Sequence, residues 1–145
     1  MQTGRPQSPR FSLAFLDCAM KYVSINITNR TQPTMILARY CDSFLCRLRG
    51  LMFTRGVPAN QGLLLVQGRD SRMDSSIHMM FVWMDLAVVW INDAGEVVDT
   101  CLARAWRPAY FPKAPARYVL EMSADHHGEF QIGDKIRFDE TWLDR

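Results

Sequence analysis

Residues 76–106 read SIHMMFVWMDLAVVWINDAGEVVDTCLARAW, and no other stretch limits the fold so tightly. The apolar run Met84–Ile91 is bounded by the turn Asn92-Asp93-Ala94-Gly95, whose glycine suits a left-handed residue. Glu96–Ala103 then returns as a partner strand. Val88, Val89, Trp90 and Ile91 are consecutively apolar and leave no polar side for water. The pattern predicts a strand covered on both faces, in the middle of a sheet or in a barrel wall. The run is far shorter than the roughly 20 residues that carry a helix across a bilayer.

The flanking chain supplies more short strands. Val23–Ile27 alternates apolar and polar, Asn29–Pro33 is a turn cluster, and Met35–Tyr40 completes an opening hairpin. Asp42 or Ser43 can cap a helix in which Phe44, Leu45, Leu48, Leu51 and Met52 share one face. Gly50 inside that helix costs about 1 kcal/mol relative to alanine, unless a close backbone approach or an early helix end explains it. Gly62–Val66 is a strand, residues 67–76 a polar loop, and Ile77–Phe81 a strand or extended segment. Three prolines in Arg107–Pro115 exclude a central strand and indicate a stiff, packed loop. In Arg117–Met122, Tyr118, Leu120 and Met122 share one side while Arg117, Val119 and Glu121 share the other. Residues 131–138 turn into a last strand. One helix and seven or eight strands, mostly in hairpins and without βαβ alternation, give an α+β fold: a mainly antiparallel curved sheet or small barrel with one main helix.

Length and composition narrow the reading further. A chain of 145 residues fits one domain, expected over residues 20–145. Residues 1–19 are expected to be a disordered tail; they match a signal peptide poorly, which predicts a cytoplasmic protein. The net charge of +2 argues against nucleic acid, although the basic residues comprise 14 Arg and only 3 Lys. The four cysteines, Cys18, Cys41, Cys46 and Cys101, show no C-x-x-C spacing. Cys41 and Cys46 do not share a helix face, and all four are expected to be buried or idle thiols in a reducing compartment.

Four stretches together resemble domain-of-unknown-function family 192, a group of small bacterial and archaeal proteins. They are Arg49–Phe53, Gly62–Val66, His78–Val82 leading into Val88–Val98, and Ala116–Glu121 ahead of Ile132-Gly133-Asp134. The likeness covers roughly residues 36–138. The commoner pattern places Pro-Leu/Ile-Asp ahead of the apolar strand, where this chain has Asp85-Leu86-Ala87; the acidic group is moved two residues and stays on the same strand face. The resemblance implies a compact, mainly antiparallel β fold with one main helix. It implies no activity.

The candidate ligand-binding residues are His78, Asp85, Arg107, Arg117 and Glu121, expected to converge on a barrel mouth. His78 stands in an apolar stretch, where a histidine needs a hydrogen-bond partner or a shifted pKa. It is either functional or a structural residue bonded to backbone or to Asp85. The acidic and basic members could equally form an internal ion-pair network. Met79, Met80 and Met84 beside His78 invite a copper reading, but methionine is also a common core filler, and neither a metal nor another cofactor is expected. Three functions follow. The leading one is a small non-enzymatic domain that binds a small molecule or protein partner near His78. The second is a small hydrolase with His78 as base and Asp85 or Glu121 orienting it. The third is a nucleic-acid binder using Arg39, Arg47, Arg49 and Arg55.

Overall fold

The structure is a computed structural model that describes residues 21–141. The tail expected over residues 1–19 lies outside them. The strands are β1 (Tyr22–Ile27), β2 (Met35–Cys41), β3 (Gln61–Ser71), β4 (Leu86–Ile91), β5 (Val97–Ala103), β6 (Ala116–Ser123) and β7 (Ile136–Thr141). They form one sheet in the order β5-β4-β6-β3-β2-β1-β7. Helix α1 (Phe44–Arg49) and a 3-10 turn, Ala124–His126, complete the described elements. The α+β class is therefore correct, with a small helix.

Every strand pairing is antiparallel except β2 with β3. That parallel pair is joined through α1, so the chain contains one βαβ unit that the hairpin pattern of the sequence did not announce. The sheet curves without closing. At one corner the two edge strands meet: Val97 N–H donates to Asp134 O at 2.9 Å and Ile136 N–H to Gly95 O at 2.7 Å. A single bridge, Glu96 with Lys135, joins them there, and no ladder continues. Gly95 makes the approach possible. It sits at φ 80°, and a β-carbon would stand 2.9 Å from the Ile136 carbonyl oxygen.

Both faces of the sheet are packed, as the unbroken apolar run requires. All six residues of β4 are buried. Alternation sends Ala87, Val89 and Ile91 to one core with Ile25, Ile36, Leu64 and Leu120. Val88 and Trp90 go to the other with Leu63, Leu65, Met79 and Val119. Each large side chain removed from water contributes roughly 1.5–3 kcal/mol. The Trp90 indole N–H is satisfied by the Ser75 carbonyl at 2.8 Å. The β4–β5 hairpin does not occupy the middle of the sheet, since β5 is an edge and β3 is central. Burial of β4 comes from the covering segments.

Several local expectations change. Ser43 caps α1, its hydroxyl accepting from Cys46 N–H at 3.3 Å. The helix stops at Gly50, φ 49°, whose N–H closes on the Cys46 carbonyl at 2.9 Å. The early end splits the expected face: Leu51 and Met52 pack inward, while Phe44, Leu45 and Leu48 are 68%, 75% and 52% exposed. Cys41 and Cys46 are not idle thiols. They form a disulfide from the end of β2 to α1, with Cα atoms 5.6 Å apart, and this turns the Cys46 face inward and the Phe44 face out. Cys101 fits its expectation; burial pushes its thiol up to about 11. The polar loop expected from residue 67 begins later, because β3 runs on to Ser71. The extended segment expected over Ile77–Phe81 bridges only at Ile77, with Tyr110, and gives way to a turn at Met80 and Phe81. His126, in the 3-10 turn after β6, is buried and bonds Glu129 Oε2 at 2.9 Å through Nδ1.

Candidate functional site

The site is assembled from three segments that converge on one face of β6. Residues 77–79 are pinned to the proline loop: Ile77 and Tyr110 exchange backbone hydrogen bonds of 3.0 and 2.8 Å, and Met79 N–H donates to Arg107 O at 2.9 Å. His78 lies between these anchors, and its Nε2 bonds the Leu48 carbonyl of α1 at 3.1 Å. The structural alternative of a backbone partner is thus met at one ring nitrogen. Nδ1 is buried and has no partner.

Glu121 comes from the inside of the sheet, its backbone paired with Leu63 of β3 and Val88 of β4. It is 4% exposed. Burial raises its carboxyl from 4.5 to about 7, and Oε2 has no hydrogen-bond partner. Gly50 turns its bare side to that carboxyl, with the position of a β-carbon 3.6 Å from Oε2. Leu48, Gly50, Leu51, His78, Val82 and Glu121 line a single recess of about 30 Å³. That is room for a group the size of water. Buried polar atoms are normally satisfied, so two orphans on one recess mark a place where a further group is accommodated.

The other three sequence candidates stand elsewhere. Asp85 accepts from Arg104 Nη1 at 2.8 Å and from Ala105 N–H at 2.9 Å. That backbone N–H, and then the guanidinium, hold its carboxyl below the ordinary range. Arg117 pairs with Asp93 and donates through Nε to Gln67 O at 3.1 Å. Arg107 contributes its backbone to the Met79 anchor. None of the three lines the recess. His78 and Glu121 are brought together; Asp85, Arg107 and Arg117 are not. Among the described residues no three His, Cys, Asp or Glu groups gather to hold a metal.

Sequence reasoning missed an aromatic quartet beside these segments. Ring centroids lie 5.2 Å apart for Phe53–Phe81, 5.3 Å for Phe81–Trp106, 5.5 Å for Trp83–Trp106 and 6.0 Å for Phe53–Trp83, a closed circuit. All four rings are 41–58% exposed. Phe53, Phe81 and Trp106 sit at φ 59°, 60° and 66°. Bulky residues rarely adopt this backbone, and such strain concentrates at functional sites. Phe53 N–H donates to Phe81 O at 3.0 Å and Trp106 N–H to Met79 O at 3.0 Å, which ties the quartet to the walls of the recess. The closely spaced aromatics Phe81 and Trp83, on either side of Val82 in a stretch already full of apolar residues, were the available signal.

A second, wider depression of about 760 Å³ lies along residues 29–36 with Asn60, Gly128 and Glu129. Its polar groups serve one another: Arg30 pairs with Asp134 and donates to Glu129 O. None of the buried orphan atoms lines it.

Residues 25–138 match the family DUF192, described as "Uncharacterized ACR". A UPF0127 protein of Thermococcus gammatolerans is 39% identical over 102 residues, covering 69% of this chain and 65% of that protein. A UPF0127 protein of Thermococcus kodakarensis is 40% identical over 83 residues, 57% of this chain and 51% of its own length. This chain therefore matches about half to two thirds of these archaeal relatives. Among solved structures, a Sinorhizobium meliloti protein described as a candidate transcription regulator superposes with a TM-score of 0.75 at 19% identity, covering 86% of this chain and 98% of that one. That likeness is one of fold.

Proposed function

This chain belongs to the uncharacterised DUF192 family, and we propose that it is a non-enzymatic domain binding a small ligand at the recess between α1, residues 77–82 and β6. One observation carries the reading: His78 and Glu121 both line that recess, and each has a buried polar atom, Nδ1 and Oε2, without a partner. Each unsatisfied group costs about 1–3 kcal/mol, which a ligand's polar group would recover on binding. The domain is read as one unit over residues 20–145, supported by the single sheet running from Tyr22 to Thr141.

The hydrolase reading needs a carboxylate bonded to His78. His78 bonds the Leu48 carbonyl instead, and Asp85 is committed to Arg104 and Ala105. Nucleic acid, which the description of the Sinorhizobium meliloti neighbour brings to mind, draws little support from α1. Its outer face is apolar, and Arg47 is engaged with the carbonyls of Asp42 and Val66. No helix among the described residues is long and apolar enough to cross a membrane. Disulfides persist in oxidising compartments, so the Cys41–Cys46 bond supports export or a non-reducing cytoplasm over the reducing one that the sequence suggested.

The test is a thermal-shift screen of wild type and His78→Ala against metals, metabolites and oligosaccharides. A ligand at a hundred times its Kd stabilises by about 2.7 kcal/mol, and the expected result is a shift in wild type that the variant loses. No shift with any compound, together with a large destabilisation by His78→Ala, would overturn the reading in favour of a structural histidine.

A further inference from the structure

We propose that the ligand is a neutral saccharide unit, which lodges one hydroxyl between Glu121 and His78 and lays its C–H face on the quartet Phe53, Phe81, Trp83 and Trp106. The proposal rests on the reading that the recess binds a ligand, and it names the class.

Size and charge select the hydroxyl. A recess of about 30 Å³ admits one water-sized group and not a phosphate or a planar ring. An anion entering it would meet the carboxyl of Glu121. An ammonium would meet a wall that also includes Arg47 and Arg49. A hydroxyl carries no charge and both donates and accepts. It can donate to Glu121 Oε2 when that carboxyl is ionised and accept from it when it is protonated. With His78 Nε2–H donated to the Leu48 carbonyl, Nδ1 of the neutral ring is an acceptor, so the hydroxyl donates to Nδ1 while the protonated Glu121 donates to its oxygen.

The quartet supplies what a single hydroxyl cannot, which is contact area. Its residues are chain neighbours of the recess wall: Phe53 follows Leu51 by two, and Phe81 and Trp83 flank Val82. Trp106 is bonded to Met79, another residue of the wall. Ring faces carry negative charge and attract the weakly positive hydrogens of an apolar C–H face. A pyranose presents such a face on one side and hydroxyls at its rim. Three of these four aromatics are held at positive φ, a conformation their side chains do not favour; it costs stability and leaves the rings together at the surface.

The test is calorimetric titration with methyl hexopyranosides and their linear oligomers. It uses wild type, Trp83→Ala and Glu121→Met, which keeps the bulk at position 121 and removes both hydrogen-bonding groups, with circular dichroism to confirm folding. The expected result is saturable binding of at least one saccharide, weakened tenfold or more in each variant. Methylamine and acetate serve as charged controls. If one of these binds in a Glu121-dependent manner and no saccharide does, the recess is a binding site and the saccharide assignment is wrong. Saccharide binding unchanged by Glu121→Met would mean that the quartet acts alone, which also overturns the proposal. Absence of binding by all compounds defeats both this inference and the reading beneath it.

Discussion

The carboxyl of Glu121 packs against the bare side of Gly50, where a β-carbon would stand 3.6 Å from Oε2 and 3.9 Å from Oε1. Those are ordinary contact distances, so space is not what requires glycine at position 50. The backbone is, at φ 49°. Gly95 differs: it combines φ 80° with only 2.9 Å to the Ile136 carbonyl oxygen. Gly50→Ala is expected to cost about 1–3 kcal/mol, from the backbone alone, because φ 49° with ψ −125° is a region that residues with a β-carbon avoid. Gly95→Ala should cost clearly more, because the β5–β7 corner must also open. Urea denaturation of both variants checks the order, and an equal or reversed ranking contradicts the account of the corner.

Stability should depend on Glu121 and pH in a defined direction. Burial raises its folded-state pKa from 4.5 to about 7. The native state therefore retains a proton that the unfolded chain releases. This contribution is complete below pH 4.5 and is lost as pH rises to about 7, after which it is flat. Its size is on the order of 3 kcal/mol. Glu121→Gln removes the slope. Melting temperatures of both proteins between pH 4 and 8 give the comparison, and parallel curves would contradict it.

The Cys41–Cys46 bond closes a short loop across the junction of β2 and α1. On the chain-entropy account it stabilises by about 2 kcal/mol. Cys46→Ser should lower the unfolding free energy by that amount, and dithiothreitol should lower the wild type to the same level while leaving the variant unchanged. A reductant effect of equal size in Cys46→Ser would show that another group is responsible.

Phe81 is stacked on Phe53 at 5.2 Å while its backbone sits at φ 60°. Asparagine tolerates that backbone far better than phenylalanine. In Phe81→Asn the relief of about 1 kcal/mol should offset the loss of ring contacts worth about 0.5–1.5 kcal/mol. The melting temperature is expected to stay within a few degrees of wild type, while saccharide binding falls. A loss of several kcal/mol would show that the ring is a core residue and not a surface one.

What the sequence made legible is what depends on short-range periodicity. The alternation in Val23–Ile27 and Arg117–Met122 located strands and their faces correctly, and the run through Val88–Ile91 required a strand covered on both sides. Features set by non-local geometry stayed hidden. The Phe44, Leu45 and Leu48 spacing marks an apolar stripe but not which side of α1 meets the sheet; the disulfide and Gly50 decide that. Glu121 was placed on the same strand side as Arg117, yet the two serve different ends of β6, one beneath Gly50 and one against Asp93. Nothing in the pattern signals three aromatics at positive φ, because that conformation is imposed by the backbone bonds joining Phe53 to Phe81 and Trp106 to Met79.

Pairing of β1 with β7 joins the earliest described strand to the latest; Lys21 and Glu140, 119 residues apart in sequence, form an ion pair beside it. Loop closure over such a separation is entropically slow, and folds dominated by it fold late and cooperatively. During synthesis β1 must therefore wait beside β2 with one edge open until the last strand has emerged, and an open edge invites pairing with another chain. Lys21, directly ahead of β1, places positive charge where two nascent copies would meet. The same closure brings the chain in and out of the sheet at one point, so that a partner domain fused at either end would hang from the same corner.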